Sequence, residues 1–308
     1  MDTKKAIKKK AREIGFDLVG VTNLKPSIYQ EEYIKWIEEG MHADMVYLER
    51  TKEQRLIPHS RFPWAKSVIV LGVNYWQGPL PKPKKVGICI SRYALGRDYH
   101  YVLSKMLFDL SNFIKSRTEV KRIKYYTDTG SLLEKELAQR AGLGWTGKNT
   151  LLITEEFGSW IFLGEIIVDI ELEVDKPKEN KCGNCKICLD SCPSSALVEP
   201  FRLNTNRCTA YQTVENLGKL PEWFPSPGNL FIFGCDICQE VCPFNKNAKM
   251  TEIEDFIPNK LLINPSTSNL LRLKDKEFEK IFSKTPIGWR GRKIFMRNLK
   301  SVKNGLAL

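Results

Sequence analysis

Histidine is nearly missing from this chain, with three among 308 residues, and cysteine is missing from most of it, since only Cys89 precedes residue 182. No apolar run reaches the roughly 18 residues that span a bilayer. The longest candidates, residues 67–73 and 160–170, read as buried strands, and the second is interrupted by Gly164 and Glu165. The amino terminus, MDTKKAIKKKAREIGF, is a charged amphipathic helix pattern without the apolar stretch of a secretory signal. The expectation is therefore a cytoplasmic protein with no membrane partner. No G-x-G-x-x-G follows a strand and no P-loop occurs, which argues against a nucleotide-binding Rossmann domain. Residues 142–147, GLGWTG, are glycine-rich but follow a helix pattern instead of opening one.

What is present is ordinary in bulk. The chain is 42% hydrophobic and 27% charged, enough apolar material for a sizeable core and against global disorder. Its length suggests about two domains. The net charge of +12 favours polyanionic partners such as nucleic acid, or else reflects general lysine richness. The excess is spread over residues 4–10, 82–85 and 115–124.

Residues 1–175 mix helix and strand patterns. Helical periodicity runs through 3–15, 29–39 and 100–117, and β-branched runs at 66–74, 87–91, 123–127, 150–154 and 160–170 read as strands. Residues 131–141 read as a helix with Ser131 and Glu134 as a capping box and Gly142 as its stop. The expectation is an α+β domain with an antiparallel or mixed sheet. Residues 175–181 (DKPKENK) read as a linker, 176–250 as a cysteine-rich domain, and 251–308 as a tail with helices over 269–282 and 292–304.

Eight of the nine cysteines fall between 182 and 242. Cys182, Cys185, Cys188 and Cys192 form C-x2-C-x2-C-x3-C before Pro193, the ferredoxin spacing in which the fourth cysteine serves the other cluster. Cys235, Cys238 and Cys242 form C-x2-C-x3-C before Pro243, with Ile232 where a further cysteine would stand. Cys208 remains to replace it. One [4Fe–4S] cluster then takes Cys182, Cys185, Cys188 and Cys242, and the other takes Cys192, Cys208, Cys235 and Cys238. Full thiolate ligation of both argues for electron transfer. Zinc is the alternative, but its sites usually show two paired C-x2-C knuckles. Cys89 reads as a small buried hydrophobe.

Residues 87–101 (GICISRYALGRDYHY), residues 125–154 (YYTDTGSLLEKELAQRAGLGWTGKNTLLIT) and the double cysteine–proline motif, in that order, resemble the epoxyqueuosine reductase family over nearly the whole chain. The resemblance implies a nitroreductase-like cobalamin-binding domain, a ferredoxin-like domain with two [4Fe–4S] clusters, and a short helical tail. It implies reduction of epoxyqueuosine to queuosine at the wobble position of tRNA, by Co(I) cobalamin fed through the clusters from an external low-potential donor. A monomer is expected. Of the three histidines only His100 has an aspartate two residues before it, and Leu103 replaces the glycine of the D-x-H-x-x-G cobalt-ligand pattern. A protein histidine on cobalt is therefore not expected.

The D-T-G motif implies that Asp128 protonates the departing oxygen. A helix amino terminus would lower its pKa, whereas a proton donor needs burial to raise it. Cobalamin contacts are expected from Arg55, Ser91, Arg92, Tyr93, Asp98, Tyr99, Asp128, Lys148, Asn149, Thr150, Thr209 and Ala210. The family often has serine at the position of Ala210. Substrate contacts are expected from Arg140 and from the tail cations Arg290, Arg292, Lys293 and Arg297, with Lys300 beside them. Residues 269–304 resemble the segment that in many members precedes a helical-repeat domain helping to grip tRNA, so the reading is of a short form. Two rivals remain: a corrinoid iron–sulfur reductase of a small molecule, as in reductive dehalogenases, and a ferredoxin-type electron carrier.

Overall fold

A computed structural model describes residues 2–80, 87–225, 229–263 and 265–306, so the lysine run at 82–85 lies outside the described residues. At the centre is a four-stranded antiparallel sheet in the order Leu18–Thr22, Ser67–Asn74, Ile161–Val168, Ile123–Tyr126. Every residue of Ser67–Asn74 is buried, because helices cover both faces of the sheet. On one face lie the helices Thr3–Ile14 and Tyr99–Arg117, packed around Leu71, Val73, Phe162 and Ile166. The longer helix buries Val102, Leu103, Met106, Leu107, Leu110 and Ile114, the stripe its helical spacing predicts. On the other face the helix Glu134–Arg140 packs Leu137 and Ala138 against Val68, Val70 and Ile167.

A second core joins distant parts of the chain. Cys89–Ile90 pairs in parallel with Phe231–Phe233, and Phe278, Phe282 and Phe295 of the tail pack on Ile88, Ile90, Ile232 and Phe233. The buried Asn298 ties these pieces by donating to Thr213 O and Ile232 O.

Three local expectations need correction. Among the described residues the tail forms three α-helical segments instead of two: Thr267–Arg272, Asp275–Phe282 and Pro286–Leu306, the last broken at Gly291 by its φ of 79°. The expected capping box does not form. The helix begins at Glu134, Ser131 donates to Gln54, and the Glu134 carboxylate accepts from the Asp128 amide instead of a cap. Its end is as expected: Gly142 has a φ of +76°, and a Cβ there would meet Lys176 O at 2.4 Å. Finally, the segment after residue 174 is irregular but anchored at its start. Asp175 accepts from Val21 N at 2.7 Å and pairs with Lys4 and Lys8 at 2.9 and 2.7 Å. Part of the amino-terminal basic run is thereby neutralised within the fold.

Candidate active site and cluster pockets

The short helices Ile187–Asp190 and Ile237–Glu240 pack on each other and bring the two cysteine motifs together. Cys182, Cys185, Cys188 and Cys242 line one cavity of about 240 Å3, closed by Lys148, Ile153 and Pro243. The mutual effects of the thiols divide in the same way. Cys188 responds to Cys242 and Cys185, and Cys242 to Cys182 and Cys185, whereas Cys235 and Cys238 respond to Cys192 and Cys208. Burial pushes the Cys235 thiol up to about 12, holds Cys238 well above the ordinary thiol range, and raises Cys208, Cys188 and Cys242. Such thiols ionise only when cations compensate them. Among the described residues no three His, Cys, Asp or Glu side chains converge closely enough to share one ion. Two sets of four thiols suit iron–sulfur cubes better than a single tetrahedral zinc.

Residues 148 and 149 hold both motifs. Lys148 Nζ donates to Gly183 O and Cys185 O at 2.6 and 3.0 Å, and the buried Asn149 donates to Cys238 O at 3.4 Å. The next residue, Thr150, has a φ of +66°, and its carbonyl accepts from Lys135 Nζ at 2.8 Å. Asp128, Glu134 and Cys238 all act on that ammonium group.

Asp128 follows the strand Ile123–Tyr126 in the left-handed region, with a φ of +56°. Its carboxylate is 62% exposed, accepts from the Tyr99 hydroxyl at 2.5 Å, and lies 3.8 Å from His100 Nε2. The other ring nitrogen of His100 bonds Asp98 Oδ1 at 2.8 Å, and Asp98 also caps the helix by accepting from His100 N. Partial burial works against the imidazolium, but the Asp98 hydrogen bond, with the charges of Asp98, Asp128 and Glu134, outweighs it and raises the His100 pKa. Burial, and then the Asp128 charge, push the Tyr99 phenol well above its usual range. Behind Asp128 lie two more acids. Burial and the Asp128 charge raise Glu134, and burial and Glu134 raise the fully buried Glu165.

The family model "Epoxyqueuosine reductase QueG, DUF1730" matches residues 55–129, and the "4Fe-4S double cluster binding domain" model matches 181–245. The epoxyqueuosine reductase of Synechocystis sp. is 41% identical over 250 residues, covering 80% of this chain and 86% of that protein. The chain belongs to the epoxyqueuosine reductase family. Two solved epoxyqueuosine reductases superpose closely, each covering 97% of this chain and 80% of theirs at 31% identity. One carries an epoxyqueuosine-modified tRNA-Tyr stem loop and has a TM-score of 0.87. The other, from Bacillus subtilis, has its catalytic aspartate loop swung out of the active site and a TM-score of 0.86. Among the described residues no helix is long and apolar enough to cross a membrane.

In this member of the epoxyqueuosine reductase family, many residues expected at the cofactor also have partners within the fold. Ser91 Oγ and Arg92 N both donate to the buried Asp236 carboxylate, whose pKa burial pushes up to about 6. The Arg92 guanidinium donates to Gly78 O and Glu240 and stacks on Trp76. Thr209 Oγ1 accepts from Asn229, and Asp98 is the helix cap. Arg55 donates to Leu132 O and Thr51 Oγ1, supporting the turn after Asp128. Tyr93 is half-buried, with its ring centroid 6.4 Å from that of Tyr99, and Ala210 is half-buried beside Cys208. Cys89 is only partly buried.

The expected substrate cations are largely engaged within the fold. Arg140 donates to Lys25 O and Asn23 and pairs with Glu136. Arg290 pairs with Glu215, Arg292 bonds Leu273 O, and Arg297 bonds three backbone carbonyls. Of that group, Lys293 and Lys300 are exposed. Sequence reasoning missed Glu134, Glu165 and Lys135 as neighbours of Asp128. It weighed His100 only as a cobalt ligand, and the structure makes it a partner of two carboxylates. The one visible signal for Glu165 was its interruption of an apolar run.

Proposed function

We propose that this chain reduces epoxyqueuosine to queuosine in tRNA, with cobalamin bound beside Asp128 and two [4Fe–4S] clusters relaying electrons from an external low-potential donor. The observation that carries this reading is the approach of the acid to the second thiol set. The charges of Asp128 and Glu134 act on the Lys135 ammonium, which donates to Thr150 O, and the adjacent Asn149 donates to Cys238 O. An acid and an electron-carrying module thus meet at one place.

The residues suit the reaction. Removing an epoxide oxygen as water and leaving an alkene takes two electrons and two protons. Bound cobalamin supplies the reducing centre that acts on the epoxide. Tyr99, Asp128, Tyr93, Thr150 and Ala210 are the residues that would border it, and both nitrogens of His100 already face carboxylates, consistent with cobalt free of a histidine ligand. Asp128 gives a proton to the departing oxygen. Tyr99 fixes the carboxylate by donating to Oδ2, leaving the other oxygen to face the substrate. His100, held toward its charged form, returns a proton to Asp128. The positively charged chain draws the tRNA. A monomer in the cytoplasm is part of the proposal.

The test begins with anaerobic reconstitution and cobalamin addition. The expected content is about eight irons and one cobalt per chain, with turnover of epoxyqueuosine-containing tRNA. Iron without retained cobalamin overturns the reductase reading and favours the electron carrier. Cobalamin retention without tRNA binding favours a small-molecule reductase. Wild-type turnover by Asp128→Asn removes the acid role.

A further inference from the structure

Glu165 is a charged residue in the middle of the central sheet. It sits on Ile161–Val168, opposite Val70 on one side and Tyr126 on the other, with no exposed surface. Neither carboxyl oxygen has a hydrogen-bond donor among the described residues. Strand alternation places Glu165 on the face of Leu163 and Ile167, which packs against the helix Glu134–Arg140. The acid it meets there is Glu134. Two carboxyls hydrogen-bond each other only when one carries a proton, and a buried pair keeps that proton because a second like charge at low dielectric is costly. Glu165 is the deeper of the two, with no exposed surface and no donor to compensate a charge, whereas Glu134 is half-buried and accepts from a backbone amide, so the proton is assigned to Glu165.

Glu134 has a second partner. Its Oε1 accepts from the Asp128 amide at 2.7 Å. Asp128 has a φ of +56°, a backbone that non-glycine residues hold only where surroundings fix it.

We propose that Glu165 and Glu134 form a one-proton carboxyl pair that positions Asp128: Glu165 donates to Glu134, and Glu134 anchors the Asp128 amide. Both are positioning residues. The inference rests on Asp128 being the proton donor. The charged groups around Glu134 are Asp128, Arg55 from Lys52–Leu56, Lys135 beside it, and His100 with Tyr99 from Tyr99–Arg117. Among the described residues the charged groups that act on Glu165 are Glu134 and Asp128, its strand neighbours being Val70 and Tyr126. Because the pair's proton is held more tightly in the closed turn, closure is favoured at low pH and weakens as pH rises through the pair's ionisation.

Hydrogen–deuterium exchange of residues 127–133 in the cofactor-free chain tests this, normalised at each pH to an unstructured reference peptide. In the wild type, protection falls as pH rises. Glu165→Gln, which mimics the protonated acid and keeps its donor at every pH, retains protection without the fall. Glu134→Ala exchanges the Asp128 amide about tenfold faster or more at all pH, the loss expected for a hydrogen bond to a carboxylate. Glu134→Gln restores protection, because its oxygen still accepts. Unchanged protection in Glu134→Ala, or the same pH dependence in Glu165→Gln as in the wild type, overturns the proposal. Asp128→Asn keeps the amide and its protection, so its turnover tests the acid role separately.

Discussion

Arg297 is expected to bind tRNA, and the structure gives it a task within the fold. Its guanidinium donates to Gln212 O at 2.8 Å, Asn216 O at 2.8 Å and Gly218 O at 2.5 Å, and to Asn298 Oδ1 at 2.8 Å. These carbonyls lie at and beyond the end of the helix Thr209–Val214, which starts immediately after Cys208. Arg297→Ala leaves three carbonyls without their cationic donor. Water replaces it readily only at the exposed Gly218 contact. At about 1 kcal/mol net for each bond, the loss is about 3 kcal/mol. With roughly 2–4 °C per kcal/mol for a chain of this size or somewhat smaller, Tm falls by about 6–12 °C. Thermal unfolding of the reconstituted protein measures this, and tRNA binding over a salt series measures the alternative. The slope of binding against salt stays as in the wild type for Arg297→Ala. The exposed Lys293 and Lys300 behave the opposite way. Alanine there leaves stability within about 0.5 kcal/mol and flattens the salt slope by roughly 0.7–0.9 for each phosphate contact removed. An Arg297→Ala protein that keeps its Tm but loses salt dependence refutes the reasoning and restores Arg297 to the tRNA surface.

Two further predictions follow from the site. Lys148→Ala removes the amine that holds Gly183 O and Cys185 O, so anaerobic reconstitution yields fewer irons, falling from about eight toward about four per chain; undiminished iron contradicts the clamp. Asp98→Asn keeps the helix cap but removes the carboxylate that holds His100 charged. A histidine with a raised pKa stabilises the fold below its ordinary titration range, and that contribution is lost as pH rises through the raised value. In Asp98→Asn the His100 titration followed by NMR therefore moves to lower pH, and so does the loss of turnover on the alkaline side. An unmoved midpoint refutes the assignment of Asp98 as the cause.

The parts legible in the sequence are those whose cause is local. The stripe from Val102 to Ile114 on Tyr99–Arg117 is read by spacing alone, and the cysteine runs declare their chemistry by their intervals. The parts that the sequence leaves illegible are those in which distant partners capture a side chain. Ser131 and Glu134 carry the signature of a capping box, yet Gln54, 77 residues earlier, takes the hydroxyl, and the Asp128 amide takes the carboxylate. The basic face of the tail looks like a nucleic-acid surface because periodicity cannot show that Gln212 O lies 85 residues away in sequence and in bonding range of Arg297. Glu165 lies between these cases. Its presence in an apolar strand is visible in the sequence, but there it reads only as an interruption. Register supplies the meaning: paired with Val70 and Tyr126, it must turn toward the helix that begins at Glu134. Burying a lone acid against apolar neighbours costs several kcal/mol unless it is neutral or partnered. A single acid in an otherwise buried strand therefore identifies the face of the sheet that carries a polar task, and the helix covering that face is where its partner is found.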